Sequence, residues 1–228
     1  WSSPFVFTLT DRSVRNIVAE CESVKQEREM GRKKNYDRDD LTGKAMEVFR
    51  DHGFEGTTTQ MLVESLGVNK FSIYSEFGSK QKLFEEALDR YNREVVDRNF
   101  GPLEAPTAGV KEIRELLMFF ASASNGSASG RGCLLCNTAV EFGPVDPTGG
   151  EFVQRYFGHI SKAFYKALNT SCNRGELDKS IALKGEADFF TSLTLGLFVM
   201  IRAKAPLEII ENAVKVAIEH LEGLQGKG

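Results

Sequence analysis

From Leu41 onward, apolar side chains recur at steps of three and four residues, and no strand-like alternation persists anywhere in the chain. Leu41, Ala45, Val48 and Phe49 fall on one face of a first predicted helix. Gly53 follows and can take the left-handed conformation that ends it. Thr57 to Thr59 offer hydroxyl caps for a second helix, which carries Leu62, Val63 and Leu66 inward and stops at Gly67. Asn69 caps a short third helix holding Phe71, Ile73, Tyr74 and Phe77. Ser79 caps a longer fourth, with Phe84, Leu88, Tyr91 and Val95 spaced by four, three and four, until Gly101-Pro102 and Ala105-Pro106 break the pattern. A fifth helix, about 110–122, presents Ile113, Leu116, Leu117 and Phe120. The run SASNGSASGRG (122–132) reads as a small, polar, mobile connection. Further helices are expected over roughly 133–142, 148–173, 184–204 and 206–223, with Pro206 in the first turn of the last. The predicted class is all-α: an N-terminal three-helix unit followed by a larger C-terminal helical unit.

Residues 1–29 lack this periodicity, and Met30 precedes a basic run, Arg32-Lys33-Lys34. Residues 1–30 are therefore read as a leader or flexible arm, with Met30 a candidate native start. The expected partition is 1–30, 31–80 and 81–228.

Composition narrows the function. Hydrophobic residues make up 41% and charged residues 27%, enough to bury a sizeable core. The net charge of −3 argues against a surface coated with cations for non-specific nucleic-acid binding, yet leaves room for a local basic patch. The most apolar run, Phe189 to Ile201, is interrupted by Thr191, Ser192 and Thr194, so it predicts a buried helix and not a membrane span. Four cysteines, at 21, 133, 136 and 172, are too scattered for a disulfide scaffold, and a reducing cytoplasm is expected. There is no His-Glu-x-x-His, no phosphate loop and no nucleophile motif, and the three histidines (52, 159, 220) lie in separate elements. Catalysis is not expected, nor is a cofactor or a bound metal.

Two short helices joined at a glycine and preceded by a longer one are the parts of a helix-turn-helix. Gly67 supplies the turn. Val48, Phe49, Leu62, Leu66, Ile73 and Phe77 supply the apolar faces that hold the third helix at a fixed angle. Asn69, Lys70, Ser72 and Ser75 supply its polar outer side.

The ordered set Ala45-Met46-Glu47-Val48-Phe49, His52-Gly53-Phe54-Glu55-Gly56-Thr57-Thr58, Leu66-Gly67-Val68 and Ser72-Ile73-Tyr74-Ser75-Glu76-Phe77-Gly78-Ser79-Lys80 resembles the DNA-binding signature of TetR-family regulators. The likeness spans roughly residues 36–88, and its tyrosine-x-x-phenylalanine-glycine-serine-lysine ending is the strongest element. It implies a third helix in the major groove, with Lys70 and Ser72 at base edges and Asn69 capping or contacting. Tyr74 and Lys80 are then phosphate contacts, Thr59 and Gln60 face the backbone and groove edge, and Arg32, Lys33 and Lys34 form a basic arm. Bland readings stand beside these: Tyr74 as core, and Lys80 as a solvated helix-end cation. Phe71 departs from the usual small residue or proline. Contact with thymine methyls and packing on the second helix both remain open for it, and Glu76 is expected to turn from DNA. The resemblance implies a regulator, with repression the expected sign, acting on a palindromic operator as a dimer.

Beyond residue 90 one island of resemblance remains, Gly130-Arg131-Gly132-Cys133-Leu134-Leu135-Cys136-Asn137-Thr138-Ala139-Val140-Glu141, similar to one subgroup of these regulators. Cys133 and Cys136 admit three readings: inward packing, thiol sensing favoured by a helix N-terminus, and metal binding with His159 and Cys172 as conceivable partners. The alternative function is accordingly a redox-sensing repressor of the same fold. Ile209, Ile210, Ala213, Val216, Ala217, His220, Leu221 and Leu224 form a stripe wide enough to meet both its own chain and a second copy. Candidates to line an effector pocket are Phe119, Phe120, Phe142, Phe152, Tyr156, Phe157, Phe164, Phe190, Phe198 and Met200. The 17 phenylalanines favour an apolar or aromatic effector.

Overall fold

Asp39 and Asp40 stand in the first turn of helix α1 (Arg38–Gly56), where carboxylates complement the positive end of the helix dipole. The computed structural model describes residues 36–126, 129–142 and 147–225, so the leader and the Arg32–Lys34 arm lie outside the described residues. Leu41, Ala45 and Phe49 are buried along α1, while Val48 is only half-buried. Gly53 takes the expected positive φ (74°, with ψ 179°) and stops the regular helix there, and a short further turn to Gly56 follows across the kink. The reason is local: Thr57 donates its hydroxyl to the Gly53 carbonyl at 2.5 Å and its backbone N–H to Phe54 at 3.2 Å, which continues the turn to Gly56.

Helix α2 (Thr59–Leu66) begins where Thr58 accepts the Met61 N–H (3.2 Å) and ends at Gly67 (φ 69°), whose own N–H reaches the Val63 carbonyl at 3.1 Å. Helix α3 (Lys70–Phe77) starts where the Asn69 side chain accepts from the Ser72 N–H at 2.8 Å. Ser79 does the same for Lys82 (3.1 Å) at the start of the next helix, which begins at Lys80. All three caps satisfy amide groups that a helix end would otherwise leave unpaired. Leu62, Leu66, Ile73 and Phe77 fill the space between these short helices. Val63 is half-buried. Phe71, expected among the apolar positions of α3, is 81% exposed. Two residues before Ile73, it lies about 200° around the helix from it, off the face that Ile73 and Phe77 bury.

Helix α4 runs as Lys80–Tyr91, a π-helical turn Asn92–Val96, and Asp97–Glu104. The wide turn holds one residue more than an α-turn. The buried face therefore passes from Tyr91 to Val96, not to the Val95 that a 3.6-residue period selects. Pro102 lies inside this helix instead of breaking it. The stop comes at Ala105 (φ −59°, ψ 147°), pushed into extended backbone by the ring of Pro106.

Helix α5 (Val110–Ala123) is followed by α6 (Leu134–Phe142), α7 (Pro147–Asn173), α8 (Leu183–Arg202) and α9 (Leu207–Gly223). Pro206 is the residue before the first turn of α9, one position earlier than expected. No strand occurs among the described residues. Helix α7 is the axis of the body, packed by α8, α6, α5 and the second part of α4, while α9 lies on α5 and α8. Along it Ile160, Ala163, Phe164, Ala167 and Leu168 are fully buried. The ring of Phe164 stacks on Phe190 (5.6 Å) and meets Phe100 edge-on (6.3 Å). Chain from Asp39 onward forms one compact unit.

Burial ranks the aromatics. Phe164→Ala should cost about 3–5 kcal/mol, since it removes a fully packed ring. Phe71→Ala should change stability by less than about 0.5 kcal/mol. Urea denaturation followed by circular dichroism reads both.

Candidate nucleic-acid interface

The Tyr74 hydroxyl and the Thr59 hydroxyl lie 3.0 Å apart, tying the middle of α3 to the first residue of α2. With Ile73 and Phe77 sealed beneath, α3 has little freedom to roll, and its outer side is presented as one surface. That surface carries Lys70, Phe71 and Ser75 exposed, with Ser72 and Tyr74 half-buried at its margin. The Lys70 ammonium sits 5.7 Å from the Tyr74 ring centroid, which keeps the cation at the same edge as the phenol. Gln60 is exposed on α2 and hydrogen-bonds Glu64 at 2.7 Å. Asn69 is committed to the cap through its side-chain oxygen. Glu76 is half-buried.

Lys80 takes an unexpected place. Its ammonium lies 4.3 Å from the centre of the Phe54 ring, a cation–π contact joining the start of α4 to the end of α1. Phe54 belongs in turn to a cluster with Phe49, Phe84 and Phe142. Phe142, expected at an effector pocket, thus packs on the α1 end, 5.4 Å from Phe54 and 5.8 Å from Phe84.

The other pocket candidates divide. Phe120, Tyr156, Phe164 and Phe190 are fully buried and Phe198 nearly so, joined by ring contacts such as Phe120–Phe198 at 5.0 Å. Phe152, Phe157 and Met200 are half-buried, and Phe119 is 46% exposed. A cavity of about 200 Å³ opens between α4 and α5, lined by Arg98, Asn99, Pro102, Leu103, Glu112, Glu115, Leu116 and Phe119. Among the pocket candidates Phe119 alone lines it, so the aromatic interior and this cavity are different places.

Cys133 and Cys136 are buried thiols. Cys133 Sγ lies 3.1 Å from the Tyr156 hydroxyl, deep in the body. Cys136 Sγ approaches the Leu195 carbonyl at 3.8 Å. Burial pushes the Cys133 thiol up, against the lowering effect of its hydrogen bonds from Tyr156 and from backbone amides at the start of α6. Burial, with the neighbouring Cys133, pushes Cys136 to about 12. The phenols of Tyr91 and Tyr156 are likewise raised, first by burial and then by Cys133. Desolvation outweighs the helix N-terminus here. His159 pairs with Glu104 at 3.2 Å, and Cys172 Sγ faces the Asp178 carbonyl at 3.7 Å.

Sequence reasoning missed the residues that fasten α1 to the body. Arg131 bridges Glu47 and Asp51 at 2.5 Å each, and Arg50 donates to the Gly132 carbonyl through Nη2 at 3.1 Å. A signal existed: Arg131 and Gly132 stand inside the Gly130–Glu141 island. On the α1 side Glu47 stands inside the Ala45–Phe49 run, while Arg50 and Asp51 belong to none of the motifs.

A capped, rigidly seated third helix with a polar outer side, mounted on a larger helical body, defines a helix-turn-helix DNA-binding regulator. Comparison with known proteins points the same way. Residues 41–87 match the family described as bacterial regulatory proteins, tetR family. The chain is 29% identical over 198 residues to the uncharacterized HTH-type transcriptional regulator YezE of Bacillus subtilis (strain 168), covering 85% of this chain and 100% of that protein. It is 28% identical to the HTH-type transcriptional repressor ComR of Escherichia coli (strain K12), over 78% of this chain and 85% of that one. A cysteine mutant of the TetR family transcriptional regulator CifR, solved with 26-bp double-strand operator DNA, superposes with a TM-score of 0.74 at 25% identity, covering 83% of this chain and 98% of that one. These likenesses support a TetR-family transcriptional regulator, with the family match itself confined to residues 41–87. No helix among the described residues is long and apolar enough to cross a membrane.

The raised thiols set a pH dependence. In an unfolded chain thiols ionise near pH 8.5, whereas folded Cys136 stays protonated to about 12. Below that window both states hold the proton and stability is flat. Within it the unfolded state alone loses the proton, so stability falls as pH rises. The urea midpoint should hold to about pH 8 and decline by pH 10. The decline should be shallower in Cys136→Ala. Cys133 and Cys136 should also resist alkylation at pH 8 until urea unfolds the chain.

Proposed function

We propose that this regulator is a repressor whose α1–α3 unit, up to about residue 80, reads a palindromic operator as a dimer, and whose body from residue 81 takes a small-molecule effector that releases the DNA. The observation that carries the reading is the outer side of α3, where Lys70, Phe71 and Ser75 stand exposed on a helix whose other side is sealed by Ile73 and Phe77. In this reading Lys70 and Ser72 meet base edges, and Tyr74, Lys80, Thr59, Gln60 and Asn69 position the unit on the phosphates and groove edge. With 81% of its surface exposed, Phe71 favours apolar contact with thymine methyls over packing on α2. Arg32, Lys33 and Lys34 are assigned to phosphates on charge alone.

Dimerisation through α8 and α9 is supported by large apolar side chains left at the surface. Phe189 and Val199 on α8, and Ile209 and Val216 on α9, are 43–62% exposed. Ile209 and Val216, seven residues apart, share one helix face, while Phe189 and Val199, ten apart, stand about 80° from each other around α8. A two-fold axis there sets two copies of α3 about 34 Å apart, on successive major grooves. Repression follows the sign that the name of ComR carries for that protein. Release by an effector requires only that the ligand favour a spacing of the two readers that misfits the operator. The aromatic interior around Phe120, Phe164, Phe190 and Phe198 supports an apolar or aromatic effector. The thiol-sensing variant is weighed down by the burial of both sulfurs.

The test is titration of the protein against the DNA upstream of its own gene across a salt series. Lys70→Ala should weaken binding and, where the ammonium meets a phosphate, lower the log–log salt slope by about 1 per site. Phe71→Ala should cost about 1–3 kcal/mol of affinity at A·T-containing positions, with the fold unchanged. Phe189→Glu combined with Val216→Glu should yield monomers by light scattering and lose the palindrome preference. Binding that ignores salt and all three changes would overturn the reading.

A further inference from the structure

The kink in α1 interrupts the helix bonds that span Gly53, and four of the backbone groups concerned find partners elsewhere. A helix carried straight through Gly53 would pair the Phe54 N–H with the Arg50 carbonyl, and the Glu55 N–H with the Asp51 carbonyl. In the structure each of these groups has a partner from the body instead. Arg202, at the end of α8, donates from Nη1 to the Arg50 carbonyl (2.9 Å) and from Nη2 to the Asp51 carbonyl (3.0 Å). Glu141, near the end of α6, accepts the Phe54 N–H on one oxygen (2.9 Å) and the Glu55 N–H on the other (2.6 Å). Two helix bonds are thus replaced by one guanidinium and one carboxylate, each bidentate, and both charged groups come from the body.

The local residues fit this replacement. Gly53 holds φ 74°, and a Cβ there would stand 2.8 Å from a Glu141 carboxylate oxygen. Gly132 also has positive φ (62°), and a Cβ on it would lie 3.0 Å from Arg202 Cβ. The Arg202 guanidinium reaches Gly130 and Arg131 carbonyls as well (3.2 and 3.4 Å), so it is fixed from the loop before α6. Phe142, beside Glu141, is clamped between Phe54 and Phe84.

We infer that Glu141 and Arg202 are the positioning residues of the DNA reader: by substituting for the two helix bonds lost at Gly53 they hold α1 bent, and so set the direction in which α2 and α3 leave the body. The inference rests on the DNA-reading role of α3 and adds the joint through which the body governs it. The joint has two arrangements of comparable chemistry. In one, α1 is bent and its four groups are held by Glu141 and Arg202. In the other, α1 is straight and the four groups pair with each other. A displacement of α6 or the end of α8 exchanges one for the other and swings the reader, which is the differential contact that an effector needs in order to act on DNA binding. Neither residue touches the outer side of α3, so both act through α1.

Two measurements test this on the full chain. Hydrogen exchange of the free protein, followed amide by amide, reads the joint without DNA. Glu141→Gln should speed exchange at Phe54 and Glu55 at least about tenfold while the α7 amides keep their protection. Unchanged exchange at those two positions overturns the proposed joint. A duplex selected from a random pool by the wild-type protein reads the positioning. Glu141→Gln should bind the two-half-site duplex about tenfold more weakly, bind a single half-site within about twofold of wild type, and select a different half-site spacing. An unaltered spacing preference overturns the positioning role. A wild-type protein that selects no duplex overturns the DNA-reading proposal instead, and the exchange experiment still decides the joint. Should Glu141→Gln fail to fold, Arg202→Lys keeps the charge but cannot span both carbonyls, and the same two readouts apply. Gly53→Ala gives an independent sign: it should destabilise the wild type and stabilise a Glu141→Ala, Arg202→Ala background, where α1 is free to straighten. The same sign in both backgrounds overturns the proposal.

Discussion

Eight residues do not make a stable helix in water, because nucleation costs more than so few turns return. Helix α3 is that short. It exists because Ile73 and Phe77 are buried against α2 and the start of α4, and because Asn69 and Gly78 satisfy its ends. Every property of the reading surface depends on this seating. Lys70, Phe71 and Ser75 are presented to the outside because the opposite side of the same helix is sealed. The Thr59–Tyr74 hydroxyl contact then removes the remaining rotation.

The seating unit is in turn held by the body through charge at several points, whose worth depends on burial. Exposed ion pairs such as Lys44–Asp40 contribute little. The contacts at the α1 end differ in kind: largely open to solvent, they pair backbone amides and carbonyls that lack helical partners, and so fix direction. Arg131, Arg50, Arg202 and Glu141 therefore matter more for geometry than for the sum of stability. The aromatic cluster of Phe49, Phe54, Phe84 and Phe142 supplies the apolar floor under them. Lys80 closes the group from above by lying on Phe54.

Within the body, a nearly continuous aromatic interior runs from Phe100 through Phe164 to Phe190, with Phe120 and Phe198 beside it. Cys133, Tyr91 and Tyr156 form a polar knot in this apolar surrounding, neutral because burial disfavours their charged forms. Such a knot fixes the start of α6, the helix that carries Glu141 at its far end.

The helices, their caps and the reader were legible in the chain because they rest on local rules: apolar period, hydroxyl and amide caps, and glycine where φ is positive. Thr58, Gly67, Asn69 and Ser79 stand where those rules put them. Local rules failed where one residue changes the period, as at the π-turn that buries Val96 in place of Val95, or where helix geometry tolerates a breaker, as at Pro102. They failed also for Phe71, since a pattern of apolar letters does not say which side of a short helix is covered. Above all, pairings such as Arg202 with Arg50 and Glu141 with Phe54 span 152 and 87 residues. The sequence by itself determined which segments are helical and which side chains a reader has available. Only the tertiary structure decided which body residues take over the broken bonds at Gly53, because that depends on where α6 and the end of α8 come to rest, and no local propensity encodes it.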